Sequence, residues 1–169
     1  MLKSLLAVVV VAGCQVEVEV EDIRLTYHDA EIKGVGLGSA ANRSFVFDDL
    51  SAIEELVDLG ADVTFVGAEL RATGGVESFS FIEQARITIA SGDPAAGVTP
   101  VVVFDCAGDC ATHGKAFAMQ AAHRPHASDF VTSGSLRIDI DLVGHMPARA
   151  WNADFDVVLE ARLDYTLEP

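Results

Sequence analysis

The sequence predicts a mainly β protein: a single antiparallel β-sandwich, Ig-like or jelly-roll-like, with one short α-helix near residues 49–59. Three observations lead there. Long stretches near both ends of the chain alternate apolar and polar residues with a period of two, as strands with one buried and one wet face do. Glycine- and proline-containing breaks at 91–100 and 144–150 punctuate those stretches. Only residues 48–59 carry a clear helical period. Residues 14–169 make one ordinary domain, long enough to bury about two-thirds of its unfolded surface. No internal repeat or low-complexity block divides it.

Val16, Val18 and Val20 alternate with Glu17, Glu19 and Glu21, which predicts a half-buried strand. At Glu21-Asp22 the phase slips, and Ile23, Leu25 and Tyr27 continue on the odd numbers, so a β-bulge is expected there. Residues 28–44 read as loop. Gly34, Gly36 and Gly38 lie within them, but Ser39 stands where a dinucleotide fingerprint needs glycine and no helical pattern follows. Next comes the helix. Asp48 or Asp49 is placed to cap it, Glu54 and Glu55 favour its dipole, and Leu50, Ile53, Leu56 and Val57 form one apolar stripe ending at Gly60.

Residues 62–73 read as a strand and Gly74-Gly75 as a turn. Ala85, Ile87 and Ile89 alternate with Arg86 and Thr88 in a further strand. Val101 to Phe104 is apolar throughout, so a short strand buried on both faces is expected. Ala116 to Ala122 reads as a short helix. Leu136, Ile138, Ile140 and Leu142 alternate with Arg137, Asp139 and Asp141. Phe155, Val157, Leu159, Ala161, Leu163, Tyr165 and Leu167 then alternate without fault. These two long strands are expected to pair antiparallel through the loop between them.

The formal charge is −15. That excludes nucleic acid as a partner, since such binding needs a basic surface, and it disfavours lying flat on anionic lipid. A uniformly acidic surface mainly keeps a protein soluble.

The opening of the chain says more about place than about activity. Lys3 precedes an unbroken apolar run from Leu5 to Ala12, the n-region and h-region of an export signal. Eight helical residues span about 12 Å, against a bilayer core of about 30 Å, so the run is too short to cross a membrane. Val11-Ala12-Gly13-Cys14 resembles the lipobox of bacterial lipoproteins. The resemblance implies cleavage between Gly13 and Cys14, a diacylglycerol on the Cys14 thiol and acylation of the new amino group. Residues 1–13 would be the cleaved signal. Gln15, directly after the cysteine, implies the outer rather than the inner membrane. Two or more acyl chains anchor stably where one does not. Almost no linker separates Cys14 from the first strand, so the body is expected to sit close to the membrane.

Three cysteines become intelligible on that basis: Cys14 for lipid, and Cys106 with Cys110 as a disulfide in an oxidising compartment. Three intervening residues including Gly108 let the chain turn enough for a bridge. A competing use of the segment is a copper or zinc site from Cys106, Cys110 and His113, completed by His123, His126 or Met119. A reactive redox pair is disfavoured, because such pairs have two intervening residues at a helix N-terminus. Asp105 and Asp109 are too few for the six to eight oxygens calcium takes. His123 and His126 with Asp129 offer titratable groups for a hydrolase, but no nucleophile motif accompanies them. Trp151 beside Asn152 and Asp154 is either a sugar-stacking platform or core packing, and packing is the commoner role.

The expectation from sequence is a non-enzymatic binding or scaffolding module of the bacterial cell envelope, held by lipid, with an envelope protein or glycan as partner and no cofactor. The alternatives are an exported metal-binding protein and a hydrolase, both using the 105–126 segment.

Overall fold

The computed structural model describes residues 8–11, 15–34, 39–107, 110, 114–131 and 134–166, with side chains from residue 23 through 163. Among these residues lie nine strands: β1 (Val8–Val11), β2 (Gln15–Ile32), β3 (Ala40–Phe47), β4 (Asp62–Gly74), β5 (Ile82–Ser91), β6 (Val101–Ala107), β7 (Ala116–Gln120), β8 (Leu136–Gly144) and β9 (Trp151–Thr166). Two short α-helices, α1 (Ser51–Asp58) and α2 (Ser128–Val131), and one 3-10 turn (Pro94–Ala96) accompany them.

The strands form two antiparallel sheets, ordered β1-β2-β9-β4-β7 and β3-β8-β5-β6. Apart from the β5–β6 hairpin, each connection from β2 onward carries the chain from one sheet to the other. Setting β1 aside, the order β2-β9-β4-β7 over β3-β8-β5-β6 is that of an eight-stranded jelly roll, two Greek keys folded onto each other. The inner faces meet in one core. Phe45 from β3 stacks on Phe155 from β9 with ring centroids 4.3 Å apart, and both are fully buried beside Ile87, Ile138 and Val157.

The bulge expected at Glu21-Asp22 is present: Val20 pairs with Ala161 and Ile23 with Leu159, so two residues of β2 oppose one of β9. A second bulge follows at His28-Asp29, where Asp29 adopts a positive φ of 49°. By bending there, β2 stays paired to β9 as far as Ile32↔Trp151. The expected loop over 28–44 therefore shrinks. Its end is strand β3, with Ala41, Phe45 and Phe47 buried at alternate positions.

The helix near 49–59 is present as α1, with Leu50 and Ile53 buried and Leu56 and Val57 packed on the core. Its cap differs from expectation. Leu50 occupies the cap position without a side-chain hydrogen bond, and the Asp49 carboxylate accepts from Ser51 Oγ at 2.8 Å instead. Gly60 ends it with a φ of 85°.

Three further expectations are corrected. Ala116–Gln120 is a strand, because Phe117 and Met119 are buried while Ala116, Ala118 and Gln120 are exposed, a period of two. β6 lies at a sheet edge, and Val102 is 40% exposed while Val103 is buried, so only one of its faces is covered. β8 and β9 do not pair. Each sits inside a different sheet, β8 between β3 and β5 and β9 between β2 and β4. Their apolar faces therefore meet across the core, and the 144–150 loop carries the chain between sheets.

Candidate functional site

Gly13 and Cys14, the proposed cleavage and lipid positions, lie outside the described residues, as do Gly108, Asp109 and His113. β2 begins at Gln15, so no loop stands between Cys14 and the sheet. No helix among the described residues is long and apolar enough to cross a membrane.

Cys106 and Cys110 are joined in a disulfide with Cα atoms 5.8 Å apart. Cys106 is the penultimate residue of β6, opposite Ala85, and Cys110 is buried against the core. Their sulfurs are bonded to each other and are not thiolate ligands. His126 lies elsewhere. It forms a β-bridge with Thr64 near the start of β4, whereas the bridged loop leads into Ala116, which pairs with Arg71. Seven residues of β4, about 23 Å of strand at ~3.3 Å each, separate Thr64 from Arg71. The cysteines and His126, grouped in the metal reading, are thus not brought together. Among the described residues no three His, Cys, Asp or Glu side chains are gathered as a metal site.

The 121–127 segment is ordered by the edge of β4. Ala121 N–H donates to Val66, Phe65 N–H to Pro125 and Ala127 N–H to Val63. This pairing sets His126 Nδ1 2.5 Å from Asp62 Oδ1. The bond to the Asp62 carboxylate, and then its charge, raise the His126 pKa above the usual imidazole value; Asp129 adds a smaller push, and slight desolvation opposes it. Arg124 Nη1 lies 3.5 Å and Arg162 Nε 2.7 Å from the Glu160 carboxylate. With Asp62 and Thr64 these residues line an open groove of about 180 Å³. Asp62 orients His126 as a general base would be oriented, but no hydroxyl or thiol among the described residues hydrogen-bonds to the imidazole. His123 is exposed in the preceding turn.

A second polar group, not visible in the sequence, crosses the outer face of the β2-β9-β4 sheet. The Asp29 carboxylate accepts from Thr73 Oγ1 at 2.8 Å and Asn152 Nδ2 at 3.0 Å. These two bonds, Thr73 first, hold its pKa below the usual carboxylate value. Asp29 N–H donates to Asp154 at 2.9 Å. Further along, the buried Asp156 accepts from Thr26 Oγ1 at 2.6 Å and lies 3.7 Å from Arg71. Bulges at His28-Asp29 and at Thr73 re-aim these side chains. The one signal for this group in the sequence is the phase slip between Tyr27 and Ala30.

Trp151 is 1% exposed and packs edge-on against Phe79 and Phe81, with centroids 5.6 and 5.7 Å away. It is a core residue, not a platform for a sugar.

No family model and no curated protein matches the sequence. Solved structures with a detectable likeness include a chain of infectious bursal disease virus, Gx strain, at 12% identity and a TM-score of 0.35, covering 88% of this chain and 33% of that one. Turnip yellow mosaic virus gives 11% identity and a TM-score of 0.34, covering 100% and 90%. A CBM4 structure gives 13% and 0.29, covering 87% and 83%. This chain thus spans about a third of the length of the bursal disease virus chain. Likeness at these scores carries no argument about activity or partner, and the jelly-roll assignment rests on the strand order above.

Proposed function

We propose that the protein is a lipid-anchored binding or scaffolding module of the bacterial cell envelope, without catalytic activity, held at Cys14 in the outer rather than the inner membrane. The observation that carries the reading is the Cys106–Cys110 bridge. A disulfide belongs to an oxidising compartment, and pairing these two leaves Cys14 as the single remaining cysteine, in the position the lipobox resemblance requires. The start of β2 at Gln15 supports a body held close to its anchor.

The partner is an envelope protein or glycan. The large apolar side chains exposed among the described residues are Tyr27, Val46, Leu59 and Val102, and they are scattered over β2, β3, the end of α1 and β6. None forms an aromatic platform of the kind sugars stack on. The metal alternative loses both thiolates to the bridge, and among the described residues no hydroxyl or thiol hydrogen-bonds to His126 as the hydrolase alternative would need.

Metabolic labelling with a tagged fatty acid tests the proposal. The label is expected to enter the protein, and the protein to fractionate with membranes. Cys14→Ser should abolish both. Label retained by Cys14→Ser, or wild-type protein recovered unlabelled in the soluble fraction, would overturn the proposal.

A further inference from the structure

We propose that the outer edge of β2 at Val16–Glu19 is a strand-addition site, occupied by β1 in the precursor and, once the leader is removed, by an extended partner segment in which Lys or Arg alternates with apolar residues. This rests on the anchor reading, because removal of residues 1–13 is what would empty the edge. The chain itself draws the geometry. β1 runs antiparallel to β2, with Val8 opposite Glu19 and Val11 opposite Val16. β1 is the outermost strand of its sheet, and β2 is held on its other side by β9 from Gln15 to Val20. Cleavage before Cys14 would therefore remove a strand with one neighbour. It would leave a row of unpaired backbone donors and acceptors on a strand still fixed from behind. Such an edge is what an incoming strand pairs with.

The slot has a defined length. The β1 ladder stops at Glu19, and the bulge at Glu21-Asp22 follows directly. A bulge breaks the regular spacing that a longer added strand would need.

The chemistry of the partner follows from the residues of the edge, which read Val16, Glu17, Val18, Glu19, Val20, Glu21. The sequence of β1 is four valines, which offers nothing to the acidic half of that alternation. A second copy of the edge is a poor occupant. Antiparallel pairing of two such strands within one sheet sets glutamate across from glutamate, which destabilises, and loss of Lys3 with the leader takes each chain from a formal −15 to −16. A strand alternating basic and apolar residues complements both halves.

The test uses the processed protein extracted from envelope membranes in detergent, beside the unprocessed Cys14→Ala precursor. Each is titrated with a six-residue peptide alternating Lys and Val, and with its Glu and Val counterpart. The processed protein is expected to bind the Lys peptide roughly tenfold or more tightly than the Glu peptide. Amide exchange should slow at residues 15–19 and stay unchanged along the β6 edge, and the precursor, already capped, should show no change. Glu17→Lys combined with Glu19→Lys should reverse the preference. Equal affinity for both peptides, no binding, protection elsewhere, or self-association of the processed chain through residues 15–19 would each overturn the proposal. If the intact mass shows that the leader is retained, the anchor reading fails and takes this one with it. If the leader is removed and the peptide does not bind, this inference alone fails.

Discussion

Replacing Trp151 with Ala separates a core role from a binding role more sharply than any other single change. Trp151 is 1% exposed, begins β9, and meets Phe79 and Phe81 edge-on. Truncating a buried Trp costs about 3–5 kcal/mol, and the upper half of that range is expected because two aromatic pairings are lost as well. The surroundings will not collapse easily: a Cβ added at Gly75 would meet the Trp151 backbone at 2.9 Å, so the covering turn is already in contact. For a domain of this size each kcal/mol moves the melting temperature by about 2–4 °C, so a loss of roughly 8–20 °C follows. Circular dichroism during heating and urea titration is the assay, since the substitution removes the chain's single tryptophan and its fluorescence with it. Trp151→Phe should recover much of the loss. A Trp151→Ala protein within about 1 kcal/mol of the parent would refute the packing argument, because no fully buried tryptophan is that cheaply removed.

The bridge and the imidazole give further expectations. Replacing Cys106 and Cys110 together with Ser, or reducing them, should cost about 2 kcal/mol, the chain-entropy value for so short a loop; urea titrations with and without reductant measure it, and coincident curves would contradict it. His126 should titrate above its ordinary value near 6.5, and Asp62→Asn should return it there, as followed by NMR of the ring protons. The sign for stability is that of a raised pKa. The His126–Asp62 interaction contributes in full below about pH 6.5 and fades as pH rises through the higher folded value. Asp62→Asn should flatten stability across that window, with only a small effect because the pair is exposed.

Local pattern carried the strands and the helix. The alternations at 136–142 and 155–165 are β8 and β9, with Leu167 outside the described residues, the phase slip at Glu21-Asp22 is a real bulge, and the Leu50-Ile53 stripe is α1. What sequence did not carry was pairing. β8 and β9 look like a hairpin because each is long, amphipathic and separated by a short loop, yet which strands become neighbours depends on how both apolar faces close over one core. The Ala116–Gln120 strand was hidden for a related reason: five alanine-rich residues suit a helix until Phe117 and Met119 must both face inward from a sheet edge. The disulfide was legible because spacing and cysteine count bear on it directly. The Asp29-Thr73-Asn152-Asp154 group was not, since its members come from three strands and meet only through register.

Location governs everything said here about function, and the intact mass of the protein extracted from membranes reads it in one step. The expected value is that of residues 14–169, increased by the acyl groups on Cys14 and lowered by about 2 Da for the hydrogens a disulfide leaves out. A mass matching the unmodified chain from Met1, with all three thiols free, would contradict the anchor, the oxidising compartment and the vacated β2 edge together.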